Sequence, residues 1–305
     1  MLIQRIAKIA GLSEVYVARI ISTASHRYRT YKIPKRKDGF RVIDHPSRHL
    51  KFLQRWLVRT VFSKCPVHDS VYSYRKGLGI REHGRLHVNN KYTLRIDFCE
   101  FFPSIKSSDV RRLVRANLSR IPMRLNTRDI LAISCISCKR DKLTIGAPSS
   151  PAISNAIMYE FDRHWSQKCK RMRIVYSRYA DDIYFSTNRP SILRKLLSDL
   201  KEDLLERQSP GLTLNNSKTI FSSRKRKRVV TGLVVTPDRQ LSLGRERKRA
   251  IRTQIFLYSQ DRLSPEQAKS LQGFLSFARA VEPIFITRLR GKYGNELIER
   301  IVSMS

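Results

Sequence analysis

The chain has 305 residues, with 61 Lys and Arg against 25 Asp and Glu and a formal charge of +36. That length can bury a large core in one domain or in two to three lobes. The cationic excess goes far beyond what solubility needs and points to a polyanionic partner bound with counterion release, while the lack of an apolar run of about 18 residues or a lipidation signature argues against membrane association.

In chain order, Met1 to Lys8 is broken by charges too early for a signal-peptide core and predicts an amphipathic helix stopped by Gly11. Tyr31-Lys32-Ile33 and Phe40-Arg41-Val42-Ile43 predict a β-hairpin over residues 30–45, with Asp38-Gly39 as its turn signal. Lys32, Lys35, Arg36, Lys37 and Arg41 make it basic, suited to closing over a triphosphate or to standing in solvent as an ordinary turn. Residues 47–62 predict a helix with Leu50, Leu53, Leu57 and Val61 as its apolar stripe. Lys51, Arg55 and Arg59 recur on another face, where they can track a phosphate backbone or stay solvated.

Leu94 to Asp97 reads as a strand, followed by Glu100-Phe101-Phe102-Pro103-Ser104-Ile105, a helix from about Ser108 to Leu118 and a mainly helical stretch over 127–138. Cys135 and Cys138 form a lone CxxC, more in keeping with two half-buried thiols than with a zinc site. With Cys65, Cys99 and Cys169 they make an odd, scattered set that suits a reducing cytoplasm. Gly146-Ala147-Pro148-Ser149-Ser150-Pro151 reads as a tight loop feeding a helix from about Ala152 to Arg171. Strands at Ile174 to Tyr179 and Ile183 to Ser186 flank Ala180, Asp181 and Asp182. A helix near 190–207 and a short strand at Leu212 to Leu214 come next. The basic run Arg224 to Arg228 precedes a strand over Val229 to Thr236.

Residues 238–305 read as a separate helical lobe. Ser264-Pro265-Glu266-Gln267 is a capping box with Pro in the first turn. The helix it opens is lined by Ala268, Leu271, Phe274, Leu275 and Ala278 and ends near Pro283. Another helix is expected from about Asn295 to Val302. Arg245, Arg247, Lys248, Arg249, Arg252, Arg288, Arg290 and Lys292 make the lobe basic. Strands alternating with helices and hairpins predict an α+β fold, a sheet covered by helices on one face.

Tyr179-Ala180-Asp181-Asp182 carries the most chemistry. Adjacent acids at a hairpin tip repel each other unless a cation neutralises them. Asp97 ends another strand, and three carboxylates from two strand ends can hold two Mg²⁺ ions roughly 4 Å apart, as in phosphoryl transfer. A Tyr-x-Asp-Asp tetrapeptide arises by chance in roughly a few per cent of chains this long, so its weight comes from its surroundings.

Those surroundings resemble reverse transcriptases over nearly the whole chain. The basic hairpin ends in Arg41-Val42-Ile43, with Pro46, Leu50 and Lys51 after it. Asp97 comes with Phe101-Phe102-Pro103-Ser104-Ile105, then Gly146 to Pro151 before Ser154-Asn155, then Tyr179-Ala180-Asp181-Asp182, then Leu214-Asn215-Asn216-Ser217-Lys218. The family's order is kept throughout. Within it the chain is most similar to the bacterial retron branch, by its length, without RNase H or maturase domains, and by Val230-Thr231-Gly232. Two departures stand out. In Arg81-Glu82-His83-Gly84-Arg85-Leu86-His87, His83-Gly84 replaces the branch's Asn-Ala, so that only His87 matches. Ile145 precedes Gly146 where retroviral relatives carry Gln.

The resemblance implies a right-hand polymerase: N-terminal helices and fingers over 1–90, a palm of antiparallel sheet backed by helices over 91–237 with a helical fingers insertion at about 106–144, and a helical thumb over 238–305. It implies RNA-templated DNA synthesis with Asp97, Asp181 and Asp182 as the catalytic and metal-binding residues, two Mg²⁺ ions as cofactors and Mn²⁺ as a substitute. Lys35 and Arg41 are expected on the β- and γ-phosphates, and Phe102 as an aromatic gate against the ribose 2′-hydroxyl. Gly146 and Pro148 are expected to let backbone approach template or nucleotide. Lys218 is either a general acid for pyrophosphate or a solvated lysine. Arg55, His87, Thr231, Gly232, Arg245, Lys248, Arg249 and Arg252 are expected to bind RNA. The retron branch further implies a structured non-coding RNA as template and primer, dNTPs, a branched RNA–DNA product (msDNA) primed from an internal guanosine 2′-hydroxyl, and a separate effector protein in anti-phage defence. The alternatives are a group II intron-like or diversity-generating reverse transcriptase, a palm-domain nucleotidyl cyclase, and a non-catalytic RNA scaffold.

Overall fold

The structure, a computed structural model, describes residues 2–35, 39–207 and 210–304. Arg36, Lys37 and Asp38, expected in the hairpin turn, lie outside the described residues. The chain opens with helices α1 (Leu2–Ala10) and α2 (Glu14–Ser22), strands β1 (Tyr28–Pro34) and β2 (Phe40–Pro46), helices α3 (Arg48–Thr60) and α4 (Ile80–Arg85), and strand β3 (Tyr92–Asp97). Helices α5 (Phe101–Ser104), α6 (Ser107–Ala116), α7 (Thr127–Ser137), α8 (Ser150–Ile157) and α9 (Tyr159–Arg171) lead to strands β4 (Val175–Tyr179) and β5 (Asp182–Thr187) and helix α10 (Ile192–Glu206). Strands β6 (Ile220–Ser223), β7 (Arg228–Val230), β8 (Leu233–Val235) and β9 (Leu241–Ser242) precede helices α11 (Arg245–Ser259), α12 (Pro265–Val281), α13 (Pro283–Tyr293) and α14 (Asn295–Val302). No described helix is long and apolar enough to cross a membrane.

Two units divide these elements: Met1–Tyr74 with Arg95–Phe185 and Ser191–Ile220, and Arg75–Leu94 with Ser186–Pro190 and Phe221–Ser305. A four-stranded sheet runs in the order β4-β5-β3-β6. In the first unit, helix α10 repeats buried leucines at Leu193, Leu196, Leu200 and Leu204, the spacing of one helical face. Trp165 of α9 is fully buried, sits edge-on to Phe185 of β5 at 6.3 Å, and donates Nε1 to Asp203 of α10 at 2.8 Å. These contacts seat helices on the sheet.

The basic hairpin, β1 with β2, is antiparallel with Ile33 opposite Arg41. Its stem is pinned at Asp44. The Asp44 N–H donates to the Ile145 carbonyl at 2.8 Å, and the carboxylate accepts from Thr30 at 2.7 Å and Lys139 at 2.5 Å. Beyond the stem, Tyr31, Ile33, Phe40 and Val42 are exposed.

In the second unit, α11 to α14 surround a core of Ile251, Ile255, Leu271, Leu275, Phe285, Leu289, Ile298 and Ile301. Helix α12 starts with the expected reciprocal cap, Ser264 Oγ accepting from the Gln267 N–H and Gln267 Oε1 from the Ser264 N–H.

Three expectations need correction. The helix expected over 152–171 is two, interrupted at Met158. Leu212 to Leu214 is no strand; Leu214 makes only an isolated bridge to Phe98, and β6 takes the sheet position beside β3. The single strand expected over 229–236 is a hairpin, because Thr231 and Gly232 both take positive φ (44° and 82°) and reverse the chain in two residues. The helix opened at Ser264 does end beside Pro283, at Val281, and Pro283 then starts a further helix, α13, at its first position, where a missing N–H is harmless.

Candidate active site

Strand β3 delivers Asp97 at its end, buried, with Oδ1 accepting from Lys218 Nζ at 2.9 Å. Side chains two apart on a strand share a face, so Arg95 projects on the side of Asp97. It reaches Asp182, donating from Nε at 3.0 Å and from Nη2 at 2.9 and 3.1 Å to the two carboxylate oxygens. Asp181 sits in the two-residue turn between β4 and β5, after Ala180 at φ 58°.

The three carboxylates share one electrostatic neighbourhood. Burial raises the Asp181 carboxyl above the usual range, and the charge of Asp97 raises it further, against Lys218 and Arg41. Burial pushes Asp182 up to about 6, with Asp181 and Asp97 adding to the rise and Arg95 opposing it. Among the described residues no group of three or more His, Cys, Asp or Glu forms a ready metal cage. Asp97 is instead turned to Lys218 and Asp182 to Arg95, so protein cations meet the charge that the cluster cannot neutralise itself. Carboxylate oxygen donors, buried at Asp97 and half-buried at Asp181 and Asp182, that already recruit cations fit a hard divalent ion. The other candidate ligands do not group. Cys135 and Cys138 are free thiols, with burial pushing Cys138 up to about 12.

Around the carboxylates, the exposed Arg41 of β2 is close enough for its charge to act on Asp181. Lys35 is exposed, and its N–H donates to the Gly39 carbonyl at 2.9 Å. Phe101 is buried and stacked on Phe98 at 5.7 Å, whereas Phe102 is only half-buried, edge-on to Phe101 at 5.5 Å. Gly146 takes φ 113°, and a Cβ there would stand 2.7 Å from the Asp44 carbonyl oxygen. The close approach that demands this glycine is therefore to the stem of the basic hairpin. Pro148 follows, half-buried.

The residues expected on RNA divide. Arg55 lies exposed on α3, and Arg245, Arg249 and Arg252 lie exposed on α11. Lys248 is tied to Glu282 and lies over the Phe285 ring at 5.4 Å. His87 is wholly buried, with Nδ1 2.7 Å from Ser186 Oγ, and its ring packs inside the second unit. Of the basic run, Lys225, Arg226 and Lys227 are exposed, while Arg228 is buried and donates to the Asn90 carbonyl. Thr231 Oγ1 lies 3.2 Å from His83 Nδ1, and a Cβ on Gly84 would stand 2.9 Å from Leu241 Cδ2. His83-Gly84 thus meets the Thr231 turn and β9 directly. A cavity of about 630 Å³ in this unit is lined by residues 224–228 together with Arg245 and Lys248.

Sequence reasoning missed Arg95, whose signal was its same-face spacing from Asp97. It also missed Ser73, Asp162 and Arg178, whose polar side chains lie in the interior with no local mark.

The family described as reverse transcriptase (RNA-dependent DNA polymerase) matches residues 33–235. The retron Ec83 reverse transcriptase of Escherichia coli is 35% identical over 92% of this chain and 91% of its own. The retron Ec73 enzyme of the same organism is 34% identical over 88% of each chain, and the retron Ec86 enzyme 28% identical over 96% of this chain and 91% of its own. The mixed helices and antiparallel hairpins, the carboxylate cluster and these matches together identify the chain as a member of the reverse transcriptase family, a retron RNA-directed DNA polymerase with the right-hand α+β fold.

Proposed function

We propose that this enzyme copies a structured non-coding RNA into branched msDNA at the centre formed by Asp97, Asp181 and Asp182, and that it acts with a separate effector in anti-phage defence. What supports the site is Asp97 at the end of β3 with Asp181 in the β4–β5 turn and Asp182 at the start of β5, close enough for the charge of Asp97 to act on both. Asp97 and Asp181 would hold two Mg²⁺ ions, with Asp182 positioning them. When bound, the ions supply the charge that lowers the pKa of the primer hydroxyl and neutralises the departing pyrophosphate.

The chain's own residues do the rest. Arg41, whose charge acts on Asp181, would fork onto the triphosphate, with Lys35 as a second cation beside the same hairpin. Phe102, the half-buried member of the phenylalanine pair, would be the ring that excludes a ribose 2′-hydroxyl. Lys218 is within proton reach of Asp97 and serves as a donor to the leaving group once a phosphate replaces Asp97 as its partner. Exposed Arg55, Arg245, Arg249 and Arg252, with the basic cavity beside residues 224–228, provide phosphate contacts for the RNA. The division into fingers (1–90), palm (91–237) and thumb (238–305) belongs to this reading.

Purified protein should carry a defined RNA. Its product on a denaturing gel should shift after RNase and again after debranching enzyme. The Asp181→Ala, Asp182→Ala double variant should keep the RNA and extend no primer. Random linear RNA alone would sink the retron part, and DNA synthesis by the double variant would sink the site.

A further inference from the structure

Ala180 carries a Cβ yet sits at φ 58°, a conformation that a side chain disfavours. Its peptide groups are held from both ends. The N–H donates to Ser73 Oγ at 2.8 Å, and the carbonyl accepts from Arg178 Nη1 at 3.0 Å. The same guanidinium donates from Nε to both oxygens of Asp162 at 2.9 and 3.1 Å, and from Nη2 to Asp162 Oδ2 at 2.7 Å. Its Nη1 also reaches Asn155 Oδ1 at 3.2 Å, and Asn155 Nδ2 donates to the Ser73 carbonyl at 3.0 Å. Tyr176 donates its hydroxyl to Asp162 at 2.6 Å. Ser73, Asp162 and Arg178 are fully buried and Asn155 is 2% exposed.

A buried ion pair adds little net stability over apolar residues of the same size. What this one supplies is geometry, since a satisfied polar network in a low-dielectric interior admits few alternatives. We propose that Ser73, Asn155, Asp162 and Arg178 are positioning residues that clamp the Ala180 peptide and so fix the direction in which Asp181 presents its carboxylate to Asp97. None of them touches the reacting atoms. The inference rests on the reading of Asp97 and Asp181 as the reacting centre.

Ser73→Ala removes one hydroxyl and tests the clamp. The rate of single-nucleotide addition should fall about tenfold, while affinity for an RNA template–primer stays within about twofold and the thermal midpoint within a few degrees. Mn²⁺ titrated onto the protein alone and followed by electron paramagnetic resonance should bind about fivefold more weakly. Ala180→Gly added to Ser73→Ala should recover part of both losses, because glycine takes positive φ without being held. Wild-type rate and Mn²⁺ affinity in Ser73→Ala overturn the proposal, and so does a loss of RNA affinity in step with rate. Should Ser73→Ala not fold, Tyr176→Phe removes one donor from Asp162 and is read in the same way. Asp181→Ala separates the two levels: an active variant overturns the site itself, whereas an inactive one beside an unimpaired Ser73→Ala overturns the clamp alone.

Discussion

Arg95 grips Asp182 with a two-pronged contact, Nε at 3.0 Å and Nη2 at 2.9 Å from the same oxygen. This guanidinium opposes the rise of the Asp182 carboxyl, which burial and neighbouring acids push up to about 6 even with Arg95 in place. Arg95→Leu removes the opposition, so the carboxyl moves higher and is more protonated near neutrality. Primer extension near pH 7 should fall about tenfold and recover partly at a pH about one and a half units higher. A pH–rate profile at fixed metal concentration checks this. An acid limb in the same place as in the parent enzyme rules it out.

The histidine pair of the second unit predicts a stability profile. Burial holds His87 down at about 3 and His83 well below its usual value, with the two rings 5.4 Å apart. An unfolded histidine titrates near 6.5. Between that pH and about 3 the unfolded chain therefore binds a proton that folded His87 refuses. Stability from this source is complete above about pH 6.5 and drains away as pH falls, by about 2 kcal/mol at pH 5 for His87 alone. Denaturant melts between about pH 5 and 7 should show the slope, and His87→Gln should flatten it.

Gly146 predicts a folding defect that sequence position alone would assign to catalysis. At φ 113°, with the Asp44 carbonyl oxygen 2.7 Å from the place of a Cβ, Gly146→Ala must push the loop off β2. The expected loss is about 2–4 kcal/mol. Chemical denaturation measures it. A variant of parental stability would show that the loop yields at little cost.

Much of this architecture was legible because periodicity and punctuation agree with tertiary packing. The leucines of α10, the capping box of α12 and the Asp97 strand all announce themselves locally. What stayed hidden was decided at a distance. Nothing in Ser154 to Arg163 marks the break at Met158, for there is no Gly or Pro in it. Thr231 has a β-branched side chain and poor preference for a turn, yet it stands at φ 44° beside His83. His87 matched a motif, but burial depends on which elements cover it. The three acids were visible as residue types, whereas their protein counter-ions, Arg95 and Lys218, required three-dimensional proximity. For Arg178 and Asp162, sixteen positions apart, no spacing rule connects a helix residue to the interior of a strand.

The anchoring of Asp44 has a mechanical meaning. A beam fixed at its root by Ile145 and Lys139 bends only along its unsupported length. Rotation of the whole ribbon about its base would sever these ties together, so any stroke it makes is confined to the outer portion that carries Lys35 and Arg41. The cations would then travel along a short, repeatable arc, and the fulcrum beside Gly146 stays still while they do.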